Sequence, residues 1–520
     1  MAPPAVEPAA ESQHGGATMQ DKSDSDIADI SCTMPAGCGG VSVDDMVTGR
    51  APERETEGAA PQPIGAFAGV DFDEAMSHPS AMRKSIYLLA WPVIAELVLQ
   101  TVTQMADMIM VGRLGAACVA AVGLSNQPLN IAQGFFMGIS VGTTALVARF
   151  IGAGDRKRAD MVTAQSLVLG TILAAILGTI GFLATPRLVR FMRAGADVIP
   201  YGESYMRTLM PGLFMLVINM IASAALRGAG DTKYPMKVNI FLNLFNLLGN
   251  YAFIYGNFGF PAMGVTGAAL ATTIARGVGT SMLLWHVFSG RGVVAVRTHQ
   301  RFRFDWDMIG RVVRIGLPAS LERVSLSLGL AFYVRIVSAL GTSAYAAHAI
   351  AINAEGISYM PGFAFAVSAT TIVGQALGAG RPDVAERAGW QSWKMSATVM
   401  GLMGAVLFFF PGILMRLYVD DPEIIALGAG VLRIMACAQI PMSAAYVFMG
   451  ALRGAGDTKA VLYVAMTSVW LVRFSLAALF VNVFGWGLVG AWYAMALDWV
   501  VRGSVSMARF AGGKWKEMTV

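Results

Sequence analysis

Cysteine, histidine and charge are all scarce in this chain, and each scarcity closes off a class of protein. Four cysteines in 520 residues are too few and too scattered to form a disulfide scaffold. Cys32 and Cys38 lie where a metal or redox role would lack partners, while Cys118 and Cys437 lie in or beside apolar segments and read as small packing residues. Of five histidines, His14, His78 and His299 fall outside the long apolar segments. No HExxH, paired CxxC or GxxxxGK[ST] occurs, so neither an enzyme constellation nor an ATP-binding loop emerges. No cofactor is expected, and nothing points to a nucleic-acid partner. Charged residues make up only 14% against 55% hydrophobic, with a mean hydropathy of +0.58, which excludes an ordinary soluble domain. Apolar runs of 20 or more residues recur, and roughly 20 residues span a bilayer core. The chain reads as an all-α polytopic membrane protein.

Its first 80 residues are of another kind. Fourteen Asp and Glu stand against Lys22, Arg50 and Arg54, a net charge of −11. With no periodic apolar pattern, the stretch is expected to stay disordered. It lacks the basic start and apolar core of a signal peptide, and its acidity argues against a transit peptide. The other 440 residues then carry a net charge of +16.

Those 440 residues are a duplication. The string LRGAGDTK occurs at Leu226 to Lys233 and again at Leu452 to Lys459, an offset of 226. The same offset carries Pro92 to Pro318, Glu96 to Glu322, Thr144 to Thr370, and the GAG at Gly152 to the GAG at Gly378. Each copy accommodates six spans, roughly 85–111, 118–148, 161–183, 200–225, 234–256 and 264–288, then 312–340, 345–376, 392–415, 424–451, 460–484 and 487–510. An even number per copy makes this a parallel internal repeat of two six-helix lobes. The expected layout is a disordered acidic cytoplasmic tail over 1–80, an N-terminal lobe over 81–290, a basic linker over 291–311, a C-terminal lobe over 312–510 and a tail over 511–520. Basic residues such as Arg156, Lys157, Arg158, Lys233, Arg291 and Arg311 crowd one set of loops, which places both termini in the cytoplasm of an inner-membrane protein. Arg187, Arg190 and Arg193 break the rule, falling on the side expected to be external. The LRGAGDTK and GAG strings read as turns, with glycine ending one helix and Asp capping the next.

Ionisable residues inside spans are costly in lipid and should face a cavity or a partner. Span 1 carries Glu96 and Asp107, span 7 Glu322, Arg323 and Arg335, span 8 His348 and Glu355, span 11 Arg473, and span 12 Asp498 and Arg502. Glu96 and Glu322, as repeat mates, either tie helices together in both halves or face one central cavity as twin carboxylates. Asp107 has no acidic mate, its counterpart being Tyr333. Span 5 carries Asn239, Asn243, Asn246 and Asn250, spaced 4, 3 and 4 apart, on one helical face. That stripe either knits helices by hydrogen bonds or, with Asp107, presents oxygens to a hard cation or surrounds a proton-binding acid. Its absence from the second half favours the second reading.

DMIMVGRLG at Asp107 to Gly115, AAHAIAINAEGISYMPGFAFAVSATTIVGQALGAG at Ala346 to Gly380 and both LRGAGDTK turns resemble the multidrug and toxic compound extrusion (MATE) transporters, on their DinF-like side. The resemblance implies a V-shaped cleft between two six-helix lobes. It also implies export of amphipathic, often cationic, compounds in exchange for protons or sodium, by a protein that generally acts as a monomer. Carried over by residue, the family's first-span acid falls on Asp107 and its span 5 polar pair on Asn246 and Asn250, with Thr272 in span 6. Asp107, Asn246 and Asn250 would then be the place for a sodium ion. Glu322, Glu355 and Asp498 complete the coupling and substrate candidates, with Glu96, Asn243 and Arg473 secondary. Asn250 stands where proton-coupled members often have Asp, and Pro441 where the sodium-coupled branch has an acid. Intramembrane Arg323, Arg335 and Arg473 keep open an exporter of a lipid-linked or anionic substrate.

Overall fold

The computed structural model describes residues 78–192, 195, 197–296 and 303–518; the acidic stretch before residue 78, linker positions 297–302 and Arg193 lie outside the described residues. Twelve long helices follow one another, with no strand among the described residues. They are α1 Pro79–Gly112, α2 Ala116–Gly152, α3 Arg156–Phe191, α4 Ile199–Gly228, α5 Lys233–Tyr255 and α6 Gly264–Phe288 in the first half. The second half has α7 Trp306–Ser338, α8 Thr342–Gly378, α9 Pro382–Phe409, α10 Pro422–Ala455, α11 Thr458–Val483 and α12 Gly487–Ala511.

Each expected span has its helix, and most overrun it because backbone groups near the membrane stay paired within the helix. Two departures have local causes. The ninth span ends early at Phe409, since Pro411 cannot donate to the ladder and the chain restarts as a short helix, Pro411–Arg416. The eleventh widens into π turns at Ser468–Phe474 and Leu479–Val483, which hydrophobic patterning does not report. Cys118 is buried as expected, but Cys437 is exposed rather than packed. Among the described residues nine helices are long and apolar enough to cross a membrane; α6, α7 and α12 are not among them, and each carries charge in mid-helix, at Arg276, Glu322 and Asp498. Large apolar side chains such as Leu183, Leu248, Leu402 and Leu471 are exposed on the helices, which is the surface lipid covers in a multi-pass membrane protein.

The duplication is visible bond by bond. Thr144 donates to the Ala224 carbonyl at 3.0 Å and its mate Thr370 to the Gly450 carbonyl at 2.8 Å. In the repeat turns Gly230 and Gly456 take φ of +90° and +89°, a left-handed conformation open to glycine. Asp231 then accepts from the amide of Tyr234, and Asp457 from that of Ala460, so each turn caps its next helix. Arg227 of the first turn donates to both oxygens of Glu96 at 2.8 and 3.0 Å, and Arg453 of the second donates to Glu322 at 2.6 Å. Asn239 adds a third hydrogen bond to Glu96 at 2.9 Å. The two glutamates thus tie the first helix of each half to its own repeat turn. Removing one partner of a buried pair costs about 3–5 kcal/mol, so Arg453→Met should lower the thermal midpoint in detergent, and adding Glu322→Gln should restore part of the loss. Equal melting of the single and double variants would contradict this account.

The cores do not follow the repeat boundary. Met82, Ile86, Leu89 and Val93 of α1 pack into a core otherwise built from the second half, including Phe365, Phe448 and Phe510. Met308, Val312 and Ile315 of α7 pack reciprocally among Phe136, Val162 and Ile221 of the first half. Around this exchange the halves meet closely. Ser320 donates to the Phe135 carbonyl at 2.6 Å, Gln375 to that of Gly228 at 3.0 Å, and Arg149 to that of Met518 at 2.7 Å. Repeat mates Gly152 and Gly378 bring α2 and α8 so near that an added methyl would collide with the backbone oxygens of Gln375 and Arg149 respectively. At the opposite helix ends, a methyl at Gly115 or Gly341 would meet nothing within 4 Å. The halves therefore join at the end carrying the repeat turns and diverge toward the other, which makes the cleft.

Candidate ion-coupling and substrate site

The four first-choice residues of the N-terminal half come together. Asp107 lies in the part of α1 beyond Pro92 and is half-buried. The 4-residue spacing of Asn246 and Asn250 puts both on the α1-facing side of α5, where they are 4% and 1% exposed. Asn250 Nδ2 donates to Asp107 Oδ1 at 2.5 Å. With its amide turned to satisfy every neighbour, Asn246 donates to the same oxygen at 3.2 Å and accepts from Thr272 Oγ1 of α6 at 3.1 Å. Asn250 Oδ1 is buried without a donor, so this site holds one unused oxygen beside a carboxylate, an amide oxygen and a hydroxyl. That donor chemistry suits a hard cation, and equally a proton on Asp107 that a turned Asn250 could accept.

Asn243 stays outside the cluster, donating to the Asn239 carbonyl of its own helix at 2.8 Å. The stripe is thus divided: Asn239 serves the glutamate tie, Asn243 its own backbone, and Asn246 and Asn250 the acid. Two residues that sequence reasoning passed over are linked to this site through charge alone, with no hydrogen bond or ion pair to Asp107 among the described residues. The positive charge of Arg276 on α6 acts on Asp107 and on Tyr205 of α4. Arg276 was visible as a lone charge inside a span; Tyr205, buried at 7% exposure, carries no such signal.

The second half arranges its charges differently. Asp498 of α12 accepts from Arg473 of α11 at 2.6 Å and Arg502 at 2.9 Å, and from the Ser468 hydroxyl. Ser468 and Arg473 both lie in the first π turn, a distortion frequent at functional positions. Arg473 stacks near Tyr333 and Trp499, at 5.9 and 5.7 Å from the ring centroids. His348 accepts from Trp492 Nε1 at 3.1 Å. Glu355 of α8 is 5% exposed and makes no ion pair among the described residues, while the charge of Arg473 acts on it. Neither Glu322 nor Asp498 is brought to the Asp107 cluster: each is held by arginine within its own half. Asp107 and Glu355 are the intramembrane candidates not so held.

A two-lobed twelve-helix bundle with carboxylates inside the membrane-spanning helices of each lobe is the architecture of a multi-pass membrane transporter. The chain belongs to the MatE family, whose model matches residues 92–252 and 318–503. It is 33% identical to the probable multidrug resistance protein NorM of Thermotoga maritima, over 84% of this chain and 94% of that protein. Among solved structures it resembles a MOP-superfamily transporter from Pyrococcus furiosus, described as having a binding pocket of reverse polarity that suggests a different function, with a TM-score of 0.79, 25% identity, and coverage of 84% and 97%. A multidrug resistance MATE transporter in an outward-facing conformation matches with a TM-score of 0.78 at 25% identity, covering 83% of this chain and 97% of that one.

Proposed function

We propose that this protein is a secondary multidrug efflux antiporter of the inner membrane, with both termini cytoplasmic, exporting amphipathic cations in exchange for protons or sodium. The observation that carries the reading is the Asp107 carboxylate held by Asn246 and Asn250 beside Thr272. In the orientation set by loop charge, the closed end with the repeat turns faces the cytoplasm and the cleft faces outward. A proton or sodium ion arriving from outside competes with a bound drug cation for one carboxylate, and the drug leaves. Neutralised, Asp107 loses its need for two amide donors and for the charge of Arg276, so α1, α5 and α6 can repack. Such a change biases the lobes only to the extent that the ion binds the two conformations unequally.

Ethidium efflux from proteoliposomes, driven by an imposed pH gradient or an imposed sodium gradient, tests this reading. One gradient should drive efflux and the other should not. If neither does, the exporter of cations is refuted. A second reading, export of an anionic or lipid-linked substrate, is favoured by Arg323, exposed on α7 with its Cγ 3.0 Å from where a Gly134 side chain would begin. It is also favoured by the charge of Arg276 beside the only acid of the N-terminal site. On that reading Arg323→Gln impairs transport of an anionic dye and spares ethidium.

A further inference from the structure

A groove between α3 and α4 has no part in the site above. It has a volume of about 360 Å³ and is lined by Ala174, Gly178, Phe182, Met210, Pro211 and Phe214, among others. Gly178 contributes no side chain to its wall, and Pro211 interrupts the α4 ladder there. The lining is apolar but its mouth is not. Arg207, exposed on α4, places its guanidinium 5.9 Å from the centroid of Phe182, itself a wall of the groove. Arg207 shares the α4 face of Met210, Pro211 and Phe214, three, four and seven residues on. On α3, Arg190 lies seven residues beyond Leu183, on the same side of the helix and two turns nearer its end. Neither Arg190 nor Arg207 forms an ion pair among the described residues, and Glu203, one turn outward on α4, forms none either.

No carboxylate among the described residues neutralises the Arg207 guanidinium. Arg207 lies eight residues inside the start of α4, about 12 Å along the axis at 1.5 Å per residue, so its charge must reach toward the headgroups or find an anion. The helix ends here are also those where Arg187 and Arg190 break the charge asymmetry of the other loops. A stretch of apolar wall roofed by arginine matches one ligand chemistry: a hydrocarbon chain ending in a phosphate.

We propose that this groove binds one anionic phospholipid, an acyl chain lying along Gly178 and Phe214 and the phosphate held by Arg207 with Arg190. That the leaflet is the outer one rests on the orientation proposed above; the binding itself does not. The probe is phosphatidylglycerol, compared with phosphatidylcholine, added to the delipidated full-length protein and read by native mass spectrometry. The wild type should retain one phosphatidylglycerol at concentrations where phosphatidylcholine is lost. Arg207→Gln should abolish that preference. Gly178→Leu, at a position where an added methyl meets nothing within 4 Å, should fill the groove and weaken retention of both lipids. Equal retention of the two lipids by the wild type, or unchanged phosphatidylglycerol retention in Arg207→Gln, overturns the proposal. So does loss in Arg207→Gln with full retention in Gly178→Leu, which would place the lipid on the arginine but not in the groove. Ethidium efflux measured on the same preparations separates this outcome from failure of the antiporter reading.

Discussion

Asp107→Asn is expected to reduce gradient-driven ethidium efflux to the level of protein-free vesicles while leaving the protein folded. The substitution is nearly isosteric, and the amide of Asn250 can turn its unpaired oxygen toward the new side chain. The cluster would therefore keep its hydrogen bonds and lose only its charge and its proton-binding oxygen. Drug cation and coupling ion are proposed to compete for that carboxylate, and without it there is nothing to compete for. Thermal melting in detergent near the wild-type midpoint would show that the loss is one of coupling. Thr272→Ala should give a milder defect, since Asn246 would keep its bond to Asp107 and lose only the hydroxyl. Efflux that survives Asp107→Asn would move coupling to Glu355, the other intramembrane candidate without an arginine partner in contact.

A second large effect is expected at the joined end of the lobes. In Gly378→Ala the new methyl would press on the Arg149 backbone oxygen, and in Gly152→Ala on that of Gln375. Backbone cannot step aside as a side-chain tip can. Overpacking of this kind costs about 1–3 kcal/mol, which is roughly 5- to 150-fold in a two-state ratio. The conformation with this end closed should lose that much population, and turnover should slow with it. Spin labels on α2 and α8 near the contact would report a longer distance by double electron–electron resonance. Gly123→Ala, where a methyl meets nothing within 4 Å, is the control. Unchanged distances in Gly378→Ala would mean that the close approach does not define the closed state.

Much of the molecule was legible because helices in lipid must pair their own backbone, so apolar length alone marks the spans. The exact repeat of LRGAGDTK located the turns, and glycine and aspartate chemistry accounts for their shape. The Asp107 cluster was legible for a related reason: amides four residues apart share a face, and a lone acid without a repeat mate stood out. Glu322 and Asp498 show where this runs out. Both were as conspicuous in sequence as Asp107, yet each is held by arginine, one from the repeat turn and two from α11 and α12. Periodicity gives the face of a helix but not the neighbour it meets. The acid's own residue type is the same whether a guanidinium or a cavity stands opposite.

The sequence by itself determined that the chain crosses a membrane twelve times as two copies of one six-helix unit, because span length and repeat register are local properties of the chain. Only the tertiary structure decided that α1 and α7 lend their first turns to the opposite cores, that Glu96 and Glu322 are ties, and that the charge of Arg276 reaches the Asp107 site. Those outcomes depend on which helices touch and at what height, and helix packing sets both through contacts between residues far apart in the chain.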